Sequence, residues 1–321
     1  MKSILVFMAL VGVSLVGPWG CGKVSNPTAP LVKDSTSATT TIPNPAYAAA
    51  WSMAGSTPLM NPQGIAVDGS GNIYVTDLSL GTVFKFNSSG NLLAQWGNTG
   101  TDALNEPNGI AVENGNIYVA DSSNDRIVEY DSNGNILAKL TPTGTDGSAL
   151  FVYPTGISFD NNGNLYVADN TDQVYEFNSA LQLTAQWGAS GTTSGIFNYP
   201  VEAIEDGQGN IYVANNNADN VVKFNPSIGS VNTWGQAGQQ NGQFSGPTDV
   251  KLDSNGNVYV VDYGNNRIQV FSAAGAYLTQ WGNLPNSSEG LNGPNSLVID
   301  GAGNAYVVDN GNARIVKYTL N

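Results

Sequence analysis

Histidine is absent from this chain, and cysteine occurs once, as Cys21. The first absence removes the Ser-His-Asp triad, the Cys-His nucleophile and histidine-ligated zinc together. The second leaves no disulfide within one chain, so stability must come from packing. Charge is sparse as well: 11 basic residues face 25 acidic ones, for a formal net charge of −14. A surface this poor in Lys and Arg repels polyanions, so nucleic acid is not an expected partner. No Gly-x-Ser-x-Gly elbow, Ser-x-x-Lys pair or phosphate-cradling Gly-Lys-Ser/Thr loop occurs. No segment shows sustained helical periodicity. The one long apolar run, Ile4 to Val16, is too short to span a bilayer comfortably.

What the chain does have is repetition. Prolines at 62, 107, 154, 200, 247 and 294 open copies spaced 45, 47, 46, 47 and 47 residues apart. Trp96, Trp187, Trp234 and Trp281 close copies and each precedes Gly; Trp51 stands one period before Trp96, ahead of the first full copy. Periods of this length belong to propellers and solenoids. Within a copy, runs such as Gly64 to Val67, Asn72 to Val75, Arg126 to Tyr130 and Leu92 to Trp96 read as four short strands, rich in β-branched and aromatic residues. Asp160 to Asn164 and Asp253 to Asn257 supply the Asn and Gly that tight hairpins need. They lack the Glu at the twelfth position that a calcium loop requires.

A four-stranded blade cannot bury both faces alone, so each needs two neighbours, and ring closure removes the raw ends of a stack. The last copy stops before its own tryptophan position, and Ala46 to Trp51 can supply the missing strand. The expectation is an all-β fold: a six-bladed β-propeller of four-stranded antiparallel blades over residues 46–321, closed by an N-terminal strand that completes the last blade.

The pattern resembles the NHL-repeat family, whose copies read roughly Pro-x-Gly-Ile-Ala-Val-Asp, Gly-Asn-Ile-Tyr-Val-Ala-Asp and Asn-x-Arg-Ile. The copy from Pro107 to Tyr130 matches best, through Pro107, Gly109, Val112, Tyr118, Asp121, Asn124, Arg126 and Ile127. Departures are Asn215 in place of the Asp in blade 4, Leu140 in place of the Trp in blade 2, and a missing Arg in blades 1, 3 and 4. The resemblance implies an interaction platform. Relatives that bind RNA use a basic face this chain lacks, and peptide-amidating lyases need histidine ligands it does not possess.

Residues 1–20 have the layout of a signal peptide, with Lys2 ahead of the apolar run. Gly20-Cys21 resembles a bacterial lipoprotein cleavage site. Residues 21–45, with Pro27, Pro30, Pro43, Pro45 and the Ser/Thr run at 35–41, read as a disordered tether. The expectation is export to the cell envelope, lipid-anchored through Cys21 or free outside the cytoplasm, as a monomer that meets membrane only through the anchor.

The repeated Asp77, Asp121, Asp169, Asp262 and Asp309 read as caps or arginine partners rather than catalytic groups. Breaks in the repeat near the axis are more informative. Two residues after the opening proline stand Gly64, Gly109 and Gly156, then Glu202, Asp249 and Ser296. Two carboxylates at one height on adjacent blades can share a cation or one polar ligand. Gln63, Asn108 and Asn295 line the same mouth, and Tyr153 and Tyr199 add aromatic surface. The expected function is a non-catalytic binding or scaffold propeller taking a protein, peptide or glycan, with no catalytic residue and no cofactor save Ca²⁺. The alternative is a divalent-cation-dependent hydrolase or lyase. Six-bladed lactone hydrolases resemble it by residue type, with Glu202, Asp249 and Asn295 as the candidate ligands.

Overall fold

The computed structural model describes residues 44–188, 197–285 and 287–320. The expected signal peptide, Cys21 and the tether up to residue 43 lie outside the described residues. Six four-stranded antiparallel sheets follow one another along the chain. Their first strands are Pro62–Val67, Pro107–Glu113, Pro154–Phe159, Pro200–Glu205, Pro247–Leu252 and Pro294–Ile299. These six contact each other in succession, the last against the first, and so form the inner wall of a ring. Each begins at the opening proline, two residues earlier than the apolar run suggests. At the first position of a strand the missing proline N–H costs no central ladder bond.

Six hydrophobic clusters fill the six gaps between blades. Between blades 6 and 1, for example, Tyr306, Val308 and Ile315 pack with Ile65, Val75, Phe84 and Phe86. Complete burial of one such side chain contributes roughly 1.5–3 kcal/mol. One cluster per gap accounts for both faces of every blade.

Closure is by the two ends of the described chain. Ala46–Trp51 pairs antiparallel with Arg314–Thr319, giving blade 6 its fourth strand. Trp51 faces Ile315 in the register in which Trp96 faces Val83, Trp234 faces Val221 and Trp281 faces Ile268. Packing agrees with register. Trp96 lies under Gly134 of the next blade's outer turn, Trp234 under Gly275, and Trp51 under Gly90 of blade 1. A Cβ on Gly90 would come within 2.7 Å of the indole, and its φ of +82° already favours glycine.

The repeated aspartates hold the loops that enter the blades. Asp77, Asp121, Asp169, Asp262 and Asp309 are fully buried. Their carboxylates accept from the backbone N–H of Met60 (2.8 Å), Asn105 (2.7 Å), Val152 (3.0 Å), Ser245 (2.8 Å) and Asn292 (2.6 Å). Asn215 does the same for Asn198 at 2.6 Å. Arg126, Arg267 and Arg314 each donate through Nε to the Asp of their blade at 2.6–2.7 Å. Asp160 and Asp253 accept from backbone N–H groups two and four residues on, which fixes their hairpins.

Candidate functional site

Glycine near the axis of blades 1 to 3 has a steric cause. A Cβ on Gly64 would lie 2.5 Å from the Asn108 carbonyl oxygen, on Gly109 2.4 Å from that of Thr155, and on Gly156 2.1 Å from that of Val201. Inner strands there touch backbone to backbone. In blades 4 to 6 the same position carries Glu202, Asp249 and Ser296, whose side chains stand between the strands. The ring is therefore tight on one half and wedged on the other.

Glu202 and Asp249 are buried, at 6% and 2% exposure, and they do converge on a cation. It is Lys251, whose Nζ lies 3.0 Å from Glu202 Oε1 and 3.0 Å from Asp249 Oδ1. Lys251 is not among the expected site residues. A signal for it exists in the sequence: it stands two residues after Asp249, and strand alternation puts both on one face. The other Asp249 oxygen accepts from Ser296 Oγ at 2.7 Å and the Leu297 N–H at 2.8 Å. Glu202, Lys251, Asp249 and Ser296 thus join blades 4, 5 and 6.

Burial pushes the Glu202 carboxyl up to about 8, with Lys251 opposing the rise and Asp249 reinforcing it. Burial alone would depress the Lys251 ammonium, but Asp249 and Glu202 more than reverse this and hold it above the ordinary lysine range. At neutral pH Glu202 is mainly protonated.

One residue closer to the mouth, a bowl of about 590 Å³ opens over blades 4, 5, 6 and 1. Its wall includes Asn61, Gln63, Asn216, Thr248, Asn295 and Asn310, with Tyr263 at the rim. Asn295 Nδ2 donates to the Gln63 side-chain oxygen at 2.8 Å, Gln63 Nε2 to Asn61 Oδ1 at 2.7 Å, and Asn310 Nδ2 to the same oxygen at 2.6 Å. This chain of amides crosses the seam between blades 6 and 1.

The expected site therefore divides. Gln63 and Asn295 line the bowl, whereas Glu202, Asp249 and Ser296 form the cluster one residue deeper. Asn295 turns toward Gln63, so it makes no common ligand set with the two carboxylates. Asn108, Tyr153 and Tyr199 do not line the bowl. Tyr153 OH donates to Glu106 at 3.1 Å, and the Tyr199 N–H donates to Asp172 at 2.7 Å. Both tyrosines have positive φ, 105° and 56°, at the position before the opening proline. In blades 5 and 6 Gly246 and Gly293 fill that position, at 61° and 53°. The two tyrosines occupy a turn suited to glycine, Tyr153 at the entry to blade 3 and Tyr199 at the entry to blade 4. Among the described residues no three or more Asp, Glu or Cys side chains cluster as a metal site. A divalent ion between Glu202 and Asp249 would have to displace the Lys251 ammonium, so these residues fit a resident metal poorly.

A second cavity, of about 580 Å³, lies where the chain ends meet, lined by Pro45, Asp253, Thr279, Trp281, Asp300 and Leu320 among others. In blades 1, 2 and 5 the turn between third and fourth strands carries a glycine that roofs the preceding blade's tryptophan. Blade 6 takes those two strands from opposite ends of the chain, so Trp281 has no such roof.

The comparisons place this geometry among known folds. The NHL repeat model matches residues 104–130 and 244–271, and a beta-propeller repeat model matches 54–85. No curated protein matches the sequence. A streptogramin B lyase structure aligns with TM-score 0.61 and 14% identity over 85% of this chain and 98% of its own. A Bacteroides thetaiotaomicron protein of unknown function gives 0.65 and 17% over 86% and 72%. A protein assigned as a gluconolactonase gives 0.64 and 13% over 88% and 94%. At such identities the likeness concerns architecture and carries no activity across. Repeat matches, blade count and closure agree: the described chain is a six-bladed β-propeller that carries NHL repeats at residues 104–130 and 244–271.

Proposed function

We propose that this propeller is a non-catalytic binding module that takes its ligand in the amide-lined bowl over blades 4, 5, 6 and 1. The observation that carries the reading is the split between bowl and cluster. Among the described residues the bowl wall holds no carboxylate, amine or thiol; Glu202 and Asp249 beneath it are engaged by Lys251 and the blade 6 backbone, and Asp77, Asp219 and Asp262 accept from the backbone N–H groups of Asn61, Gly246 and Ser245. Its volume falls in the range of roughly 300–1,000 Å³ typical of small-ligand sites. Lyase and lactonase chemistry is named for neighbours at 13–14% identity, where the likeness is one of fold.

Export and envelope display through Cys21 form part of the proposal, supported by the apolar leader and the Pro/Ser/Thr-rich stretch after it. Cys21→Ser is expected to move the protein from the membrane fraction to the soluble fraction; unchanged fractionation would remove the anchor. The binding reading is tested by a thermal-shift screen of neutral and charged saccharides and peptides against the purified chain and a Thr248→Ala/Asn295→Ala variant. A ligand class that raises the midpoint of the parent alone supports it. Turnover of a lactone or ester, abolished by Glu202→Gln, would replace it with an enzymatic one.

A further inference from the structure

We infer that the bowl is a subsite for a neutral glycan, a step that rests on the binding reading and names its ligand class. The inference follows from an account of donors and acceptors. Asn61 Oδ1 already accepts two hydrogen bonds, from Gln63 and Asn310, while its Nδ2 has no acceptor among the described residues. Asn295 and Asn310 spend their Nδ2 groups on Gln63, Asn61 and the Pro62 carbonyl, and Asn216 spends one N–H of its own on the Pro247 carbonyl at 3.3 Å. Their three Oδ1 atoms accept nothing within the described chain. The wall thus offers free N–H donors on Asn61 Nδ2, Gln63 Nε2 and Asn216 Nδ2 beside three free acceptors, all uncharged and held in place by the bonds already made.

A carboxylate or phosphate, which only accepts, would meet three amide oxygens; the net charge of −14 repels it further. A cation would find no carboxylate in the wall. Hydroxyl groups donate and accept at once, so a polyol satisfies both sets without leaving a polar atom unpaired. Tyr263 supplies the apolar face. It is 43% exposed, and a Cβ on Gly293 would lie 3.1 Å from its ring, so the ring rests on backbone at the rim between blades 5 and 6. A flat aromatic surface beside amides suits the C–H face of a pyranose.

Peptides are recognised through a free sheet edge, an apolar groove, a polyproline slot between aromatics or an arginine cluster. The bowl has no apolar groove, aromatic pair or arginine cluster, since Tyr263 is the only aromatic residue lining it, and each inner strand, although the edge of its own sheet, abuts the inner strand of the next blade.

The wedge explains why the subsite lies off the axis. Thr248 and Asn295 directly precede Asp249 and Ser296, whose mutual hydrogen bond fixes the two strands apart.

The test is calorimetric titration of the full chain with maltotriose, cellotriose, mannotriose and tri-N-acetylchitotriose. Trigalacturonate and N-acetyl-tetraalanine amide serve as the acidic and peptide probes. At least one neutral trisaccharide is expected to bind and to lose about tenfold or more in affinity in Asn295→Ala and in Tyr263→Ala. Thr279→Ala, in the other cavity, leaves it unchanged, and trigalacturonate gives no heat. Circular dichroism confirms that each variant is folded. Absence of heat with every neutral sugar, or equal binding by the Tyr263→Ala/Asn295→Ala double variant, overturns the inference. If the tetraalanine peptide alone binds and those variants abolish it, the glycan is excluded and the binding reading stands. If no probe binds and the thermal-shift screen is also silent, both fall.

Discussion

Replacing Glu202 by Gln should change how stability depends on pH more than it changes stability itself. The side chain is 6% exposed, and its charged neighbours are Lys251 and Asp249, both on the inner strand of blade 5; Gly156 of blade 3 lies against its other flank. Its carboxyl is raised from 4.5 to about 8, so between those values the folded protein holds a proton that the unfolded chain has released. Stability contributed by that proton is complete below the unfolded value and is lost as pH rises through the folded one. Within that window each pH unit removes about 1.4 kcal/mol, and the loss between pH 5 and pH 8 comes to about 3 kcal/mol. Gln keeps the shape and cannot release a proton. Urea unfolding followed by tryptophan fluorescence at pH 5, 6, 7 and 8 should show the variant gaining on the parent by that amount. Taking the difference between the two proteins cancels the titrating groups remote from Glu202 and leaves its own titration with its coupling to Lys251. Parallel curves, with a constant offset across the range, would refute the burial argument.

Other substitutions probe the ring. Gly156→Ala drives a Cβ to 2.1 Å from the Val201 carbonyl oxygen and should cost about 2 kcal/mol or more in denaturant unfolding, whereas Gly69→Ala, with nothing within 4 Å, should be nearly neutral. Arg267→Met removes the 2.7 Å partner of buried Asp262 and the donor to the carbonyls of Gln239, Gln240 and Gln243; a loss of about 3–5 kcal/mol is expected. Arg126→Met, at a more exposed site with fewer bonds, should cost visibly less. Trp51→Ala empties the space under Gly90 and should cost about 3 kcal/mol, as Trp96→Ala should under Gly134; a neutral Trp51→Ala would mean the closing strand adds nothing to the ring.

Periodicity makes the architecture legible. Trp51 reveals how the ring closes because it keeps the spacing of the other tryptophans outside any complete copy. The aspartates at the end of the second strand announce a structural duty by recurring at one position in five of the six blades, with Asn215 in the sixth case. The site is less legible. Glu202 and Asp249 stand out as departures from glycine, and their convergence follows from equal height on adjacent blades. Lys251 carries no such mark, because it departs from no invariant position: Ala66, Ala111, Ser158, Ile204 and Val298 hold the same register elsewhere. Tyr153 and Tyr199 have the spacing of mouth aromatics, yet their backbone has positive φ and their polar groups bond to Glu106 and Asp172. Loop conformation sets that outcome, and repeat spacing does not encode it. Where the bowl opens depends on which inner strands are wedged, and that becomes visible only once neighbouring carbonyls are in place.

The pairing of Ala46–Trp51 with Arg314–Thr319 also has a temporal consequence. During synthesis the first strand of this domain emerges before the other five blades and must wait for its partner until Arg314–Thr319 appears. Loop-closure entropy for so distant a pair is met only when the intervening sheets have already shortened the path between the ends. Completion of the wheel is therefore a late event, and a nascent chain halted anywhere short of Arg314 carries an unmated edge that chaperones or proteases can recognise.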